Sequence, residues 1–366
     1  MKRILCLIDC LGAGGAQHQM VGLAALLKEK GYHVVVCIYH KELFYADYLR
    51  NLDIPYVYLE KAENKYWRYF LIERYIRHLR PDVVISYLDV PNICACCSRI
   101  FNRKFRVIVS ERSTTQKTNL SVRIRFNIFR LAAFVVPNSF TQADYIRKSF
   151  PFLSHNLSVI PNFVNLQKFY PVFHSRHQIP LIIIVATIRP LKNTLLFIDA
   201  VEILAKRGLK FHIDWYGKNA FHINYFNTCK QKIHDKGLSK MICLLDKTNK
   251  IQDCYRDADY FCLPSFYEGT SNAICEALAS GLPILCSNVC DNAFYVYEGR
   301  NGCLFNPKDA ESMANSIEKA LLLSDEDYTS YCKNSRSIAE NKLSKERFII
   351  DYIQLIEQRK KAKDEN

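Results

Sequence analysis

The chain is poor in the features that mark several protein classes. None of its 366 residues fall in a run of the roughly 18 apolar residues that a membrane-spanning helix needs, so any bilayer contact is expected to be peripheral. Met1-Lys2-Arg3 leads straight into a short apolar run, without the long apolar core of a secretory signal. Acidic residues are scarce, 36 against 50 Lys and Arg, for a formal net charge of +14. Such a balance asks for an anionic partner, whether nucleic acid, membrane surface or phosphorylated small molecule, and does not choose among them. Low-complexity stretches are absent, and 23% charged against 49% hydrophobic residues excludes a disordered chain. Paired C-x-x-C ligands are missing: Cys94, Cys96 and Cys97 cluster without a second pair, so no metal site is expected there. The 15 cysteines sit inside apolar runs instead, such as RILCLID around Cys6, VVVCIY around Cys37, MICLLD around Cys243 and PILCS around Cys286. This is the usage of a small buried hydrophobe, and it leads to an expectation of reduced thiols in a cytosolic compartment.

What the chain does contain is alternation. In the first half, short apolar runs fall at 4–8, 34–39, 56–59, 83–87, 107–110, 134–137 and 157–160, with helix-period segments such as 17–30 and 65–79 between them. Unbroken Val/Ile runs suit strands covered on both faces, and strand–helix alternation gives a parallel sheet with right-handed crossovers. An irregular polar stretch at 164–180, with Pro171 and Pro180, precedes a second series at 181–186, 211–216, 241–245, 260–263, 284–287 and 303–305, with helices such as 193–207 and 271–280. The fold expected is α/β: two Rossmann-like, doubly wound parallel-sheet domains, 1–165 and 181–343, facing a cleft at the carboxyl ends of their strands. The terminal segment 344–366, helical over 344–363, is expected to pack back on the first domain.

The most informative stretch is PSFYEGTSNAICEALASGLPILCS, residues 264–287. A strand ends at Leu263, a loop runs to Thr270, and a helix starts near Ser271 and is stopped by Gly281-Leu282-Pro283. Its N-terminus offers unbonded N–H groups and the positive end of the helix dipole, a setting for phosphate. Glu268 and Glu276 bracket that terminus although acids repel phosphate. Either they accept sugar hydroxyls, Glu276 from a ribose and Glu268 from a donor sugar, or they are solvated helix-end acids. IVATIRPLKNT, 184–194, puts Arg189 and Lys192 at a strand–helix turn, where cations meet a pyrophosphate. IDWYGKN, 213–219, puts Gly217 at the end of another strand on the same expected edge.

The order strand–R-P-x-K-N–helix, strand–Y-G, then P-S-x-x-E-G-x-S-N-x-x-x-E-A-x-A-x-G-x-P resembles glycosyltransferase family 4, the group 1 retaining glycosyltransferases of GT-B fold. The resemblance covers almost the whole chain and is strongest over 181–305. It implies transfer of a sugar from a nucleotide-sugar donor, a UDP-sugar being the commonest choice, to a saccharide or lipid-linked acceptor, as in the assembly of lipopolysaccharide or capsule. Position by position it assigns Glu276 to the donor ribose, Glu268 to the transferred sugar, and Lys192 to the diphosphate. It places Gly269, Thr270, Ser271 and Asn272 against phosphate or sugar, and Gly217 beside the donor. Thr187 stands where many members carry an arginine, so Arg189 would supply the second cation from a different angle. No Asp-x-Asp stands at the expected strand edges, and catalysis is expected to need neither metal nor other cofactor.

In the first half, Gly12, Gly14 and Gly15 of LGAGGAQHQM allow close backbone approach. A dinucleotide fingerprint would want glycine at Gln17 and an acid at Tyr39. The segment resembles instead the family's first loop, in which Gly14 and Gly15 would meet donor phosphate and acceptor; a turn that only needs small residues is the alternative. VIVSERS, 107–113, ends a strand with Glu111 and Arg112. Many family members carry a histidine or acid near Glu111, which would assist acceptor deprotonation or support charge at the anomeric carbon. A Glu111–Arg112 surface pair is the plainer reading. Ser139 is expected to cap a helix. In IPNFVN, the expected hinge, Phe163 and Asn165 replace the family's usual glycine and aspartate.

Basic and aromatic residues interleave at 63–80, 99–106 and 121–134. This suits an anionic membrane surface at the cytoplasmic face, though aromatics at helical spacing more often belong to a core. Nucleic acid would suit the charge, but no motif for it accompanies the patches, and it is not expected as a partner. Two other functions share the expected fold. A sugar-nucleotide epimerase would want more cleft acids and histidines. A catalytically inactive nucleotide-sugar-binding protein would not need the set Glu268, Glu276 and Lys192.

Overall fold

The computed structural model describes residues 2–112, 117–172, 175–218 and 222–358. The first sheet consists of β1 (Arg3–Leu7), β2 (His33–Ile38), β3 (Tyr56–Tyr58), β4 (Val83–Tyr87), β5 (Arg106–Glu111) and β6 (Phe134–Pro137), in the order β3-β2-β1-β4-β5-β6. The second consists of β7 (Leu181–Val185), β8 (His212–Tyr216), β9 (Ile242–Leu245), β10 (Tyr260–Leu263), β11 (Ile284–Ser287) and β12 (Gly302–Phe305), in the order β12-β11-β10-β7-β8-β9. Every pairing is parallel. Counted within its own sheet, each follows 3-2-1-4-5-6, the doubly wound Rossmann order. The chain divides into two compact units, Met1–Pro161 with Lys345–Asn366, and Asn162–Ser344.

Strands form where the sequence runs apolar without interruption. β4 (VVISY), β10 (YFCL) and β11 (ILCS) are buried at every position, as strands covered on both faces must be. Helices add one apolar side each, for example Met20, Leu23 and Leu27 of Gly15–Glu29, and Phe197, Val201 and Leu204 of Thr194–Lys206. Each such side chain contributes about 1.5–3 kcal/mol on burial. β8 (HIDWY) is different: Ile213 and Trp215 are buried while His212, Asp214 and Tyr216 are only half-buried, so one face of this strand is open. All 15 cysteines are free thiols. Burial pushes the thiol of Cys6 up to about 12, the condition of an inert core residue.

Two elements depart from the sequence reading. The run 157–160 does not join the sheet as a strand: it makes one bridge, Val135 to Leu157, with Ser158 N–H donating to Val135 C=O and Ile160 N–H to Pro137 C=O. Pro137 and Pro161 have no N–H, so the ladder cannot be completed from either side. The terminal helix runs over Lys345–Glu357, and 359–363 lie outside the described residues. This helix belongs to the first unit. Lys2 Nζ donates to the Ile356 carbonyl (3.0 Å), Arg106 donates to the Leu355 (3.4 Å) and Ile356 carbonyls, and the Tyr32 hydroxyl donates to Glu357 (2.8 Å). Cations at the carbonyl end complement the helix dipole. Deeper in, Tyr352 and Tyr87 share a 2.8 Å hydrogen bond, and Arg112 Nη2 donates to both hydroxyls (2.8 and 2.6 Å).

Candidate active site

In the second unit the sequence-selected residues gather at the carboxyl ends of β7, β8 and β10. β10 stops at Leu263, and the helix Asn272–Ala279 begins after a loop. Its N-cap, Ser271, makes no side-chain capping bond, which leaves the first N–H groups without the usual side-chain acceptor. The loop is fixed from two sides. Phe266 N–H donates to the Leu191 carbonyl (3.0 Å), and Asn162 Nδ2 donates to the Thr270 carbonyl (2.9 Å) and to Asn272 Oδ1 (2.7 Å).

The turn after β7 is held by Asn193. This buried residue adopts left-handed backbone (φ 61°), which asparagine tolerates better than most, and its Nδ2 donates to the carbonyls of Pro264 (3.1 Å) and Pro307 (2.7 Å). Thus one side chain ties together the loops after β7, β10 and β12. The sequence reading missed it; the Lys-Asn pair at a strand–helix turn was its only local signal. Gly217, at φ 150°, follows β8, and a Cβ there would lie 2.0 Å from the Ala186 carbonyl oxygen. Only glycine lets β8 end flush against the β7 turn.

Two charged contacts define the site. Lys192 Nζ pairs with Glu268 Oε1, and both side chains are largely buried, 13% and 10% exposed. Arg189, at the same turn, keeps its Nε buried without a hydrogen-bond acceptor among the described residues. A buried unpaired donor is costly unless a ligand supplies the acceptor. Glu276 takes a 3.2 Å hydrogen bond from the Tyr255 hydroxyl. Burial raises its carboxyl to about 7, against the lowering effects of the Tyr255 bond and the Lys168 charge. The structure therefore brings Glu268 to Lys192, and holds Glu276 separately on Tyr255. Neither acid is the solvated helix-end residue of the alternative reading.

In the first unit, Glu111 ends β5 and is buried, 1% exposed. Among the described residues neither carboxylate oxygen has a hydrogen bond, and its ion-pair partner is Arg125 Nη2 at 3.4 Å. Arg125 also pairs with Asp89. Burial pushes the Glu111 carboxyl up to about 7; Arg125 pulls it down and Asp89 raises it. The surface pair Glu111–Arg112 does not form, because consecutive residues at a strand end point to opposite faces and Arg112 goes to Tyr87 and Tyr352. Arg125, part of the basic–aromatic stretch, is 7% exposed. It lies on the inward side of Leu120–Ile128 with Phe126, whereas Leu120, Arg123 and Ile124 face out. In the first loop, Gly14 caps Gly15–Glu29 without a side-chain bond. A Cβ at Gly12 would meet the Glu42 side chain and the Cys10 Sγ, and one at Gly14 the end of the Gln17 side chain.

Two Rossmann-like units of one strand order, with the residues above at their strand ends, define a GT-B glycosyltransferase fold. Residues 13–168 match the family model described as Glycosyltransferase Family 4, and residues 179–322 that of Glycosyl transferases group 1. The chain belongs to the group 1, family 4 glycosyltransferases. It is 30% identical to the Escherichia coli UDP-Gal:alpha-D-GlcNAc-diphosphoundecaprenol alpha-1,3-galactosyltransferase over 44% of each chain, less than half of that relative's length. It is 25% identical over 90% of each chain to a Campylobacter jejuni GalNAc-alpha-(1->4)-GalNAc-alpha-(1->3)-diNAcBac-PP-undecaprenol alpha-1,4-N-acetyl-D-galactosaminyltransferase. In fold it matches Anabaena HepE, solved in complex with UDP and glucose, at a TM-score of 0.84 and 15% identity, covering 97% of this chain and 99% of that one.

Proposed function

We propose that the protein is a retaining glycosyltransferase that moves a hexose-type sugar from a UDP-sugar to a lipid-linked saccharide, in surface polysaccharide assembly at the cytoplasmic face of a membrane. The observation that carries this reading is the cationic turn of Arg189 and Lys192 beside the uncapped helix of Asn272–Ala279. Anion-binding donors and hydroxyl-accepting acids alternate there, as a sugar diphosphate requires. The names of the undecaprenol-linked relatives and of UDP-bound HepE support the acceptor and donor classes.

In this reading the donor's bond from C1 to the diphosphate oxygen breaks while the acceptor hydroxyl oxygen bonds to C1 on the same face. Lys192 and Arg189 stabilise the charge gathering on the departing diphosphate, in place of a metal ion. Glu276 accepts the ribose hydroxyls, and Glu268 faces the sugar once phosphate takes over Lys192. The backbone of Gly269, Thr270, Ser271 and Asn272, with Gly217, lines the donor. Gly14, Gly15 and Glu111 serve the acceptor side, where Glu111, held near neutral pH, is suited to take the acceptor proton.

An anionic membrane partner is supported by exposed aromatic and aliphatic side chains beside basic ones. Tyr66, Trp67 and Phe70 are 80%, 60% and 51% exposed on one helix, and Leu120 and Ile124 are 73% and 53% exposed around Arg123 on another. Among the described residues no helix is long and apolar enough to cross a membrane. The deciding assay follows nucleotide release from a panel of nucleotide sugars with and without an undecaprenol-linked saccharide. Release only by hydrolysis, with no sugar transferred, would overturn the proposal.

A further inference from the structure

The open face of β8 carries a second constellation, away from the strand ends that hold the candidate donor residues. His212 and Asp214 stand two apart on β8 and so share a face. Cys243, on β9, is the residue directly opposite Asp214 in the parallel register. One ligand atom from each lies within 4.8 Å of the others, and all three side chains are half-buried. Among the described residues no other three His, Cys, Asp or Glu side chains converge in this way.

A second observation concerns the imidazole. His212 Nδ1 lies 3.2 Å from the Lys240 carbonyl, an acceptor only, so Nδ1 carries the proton and donates. Nε2 lies 3.3 Å from Asp214 Oδ1. With Nδ1 donating, Nε2 and Asp214 Oδ1 are two acceptors facing each other, an arrangement that a cation between them would satisfy. An imidazole oriented by a backbone carbonyl, with its other nitrogen presented beside a carboxylate and a thiol, is the arrangement of a protein-bound transition metal with its outer hydrogen bond in place.

We infer that His212 Nε2, Asp214 and Cys243 form a binding site for a late first-row divalent ion such as Zn²⁺. Nitrogen, oxygen and sulfur donors match that ion, and carboxylate plus thiolate supply two negative charges to it. Three protein ligands leave one position open, and an adjoining cavity of about 420 Å³, lined in part by Asp214, Asp253 and Asp257, gives room for a water there. The ion has a structural task. β9 is the last strand of its sheet, paired on one side only, and the ligands come from β8 and β9 alike. The ion would clip an edge strand of four residues to its neighbour.

The test uses the full-length protein and Co²⁺ as a spectroscopic substitute. Wild type should bind about one equivalent, with the near-ultraviolet thiolate-to-cobalt absorption and the visible bands of a four-coordinate site. Cys243→Ser should abolish the thiolate band, and His212→Ala should weaken Co²⁺ binding about tenfold or more. Cys254→Ser, which changes the thiol lining the adjoining cavity, should leave both intact. A thiolate band unchanged in Cys243→Ser, or lost in Cys254→Ser instead, overturns the site. Zn²⁺ should also raise the unfolding midpoint of the wild type, reversibly by chelator. If wild type shows neither the band nor the shift, there is no metal site.

Discussion

Each unit holds one carboxylic acid whose proton affinity desolvation raises to about 7, Glu111 fully buried and Glu276 half-buried, and the two are kept in different company. Among the described residues Glu111 has no hydrogen bond, and it has a cation at 3.4 Å, Arg125, itself shared with Asp89. Glu276 has a hydroxyl donor at 3.2 Å and, among the described residues, no ion pair. Burial dominates in both, so desolvation alone does not sort them. The partners do. An acid already taking a hydroxyl hydrogen has lone pairs to spare for further hydroxyls, which suits the ribose role proposed for Glu276. An acid balanced by charge alone suits the proton-accepting role proposed for Glu111.

The most severe way to break this contrast is to remove the counter-charge. Arg125→Ala should destabilise the first unit by about 3–5 kcal/mol at pH 8, where Glu111 is ionised, in urea unfolding. Adding Glu111→Gln should restore much of that. A single variant within 1 kcal/mol of wild type would show that water, not Arg125, stabilises Glu111. Next, Lys192→Ala should weaken UDP binding by about 1.5–3 kcal/mol in calorimetry, the size of a lost charge-assisted bond. Unchanged affinity would remove Lys192 from the donor site.

Smaller effects sharpen the contrast. Only the ionised form of Glu276 accepts two hydroxyls, so UDP affinity should fall as pH drops through about 7. The Tyr255 bond favours that ionised form. Tyr255→Phe should therefore move the midpoint upward and cost about 0.5–1.5 kcal/mol at pH 7. A midpoint that stays put would detach Tyr255 from the titration. Arg123→Glu should weaken sedimentation with anionic vesicles by about 1 kcal/mol while leaving UDP affinity alone; undiminished sedimentation would move the membrane face elsewhere. Finally, turnover should survive EDTA even where the unfolding midpoint drops, and loss restored by Mn²⁺ would overturn metal-free catalysis.

Much of the fold was legible because strands such as β1, β4, β10 and β11 are buried on both faces and so read as unbroken apolar runs. The candidate donor site was legible because its residues lie within short motifs at strand ends. What escaped was non-local. Arg125 looks like any other base in RIRFNIFR, and its acid lies fourteen positions earlier on another element. Asn193 reveals its task only through two carbonyls remote in sequence, those of Pro264 and Pro307. The run 157–160 has the composition of a strand, and prolines on both sides of the pairing defeat it.

The helix Lys345–Glu357, fastened by Lys2, Tyr32 and Arg106 to the first unit, bears on the order of events during synthesis. A ribosome releases residues 162–344 before the segment that completes 1–161. The second unit can thus reach its native state while the first still lacks a wall, with the apolar side of Phe348, Tyr352 and Leu355 yet to arrive. Although the first unit is begun earlier, its last helix is synthesised later, so cutting the chain before Lys345 should harm the unit that holds Arg3–Leu7 rather than the one next to the cut.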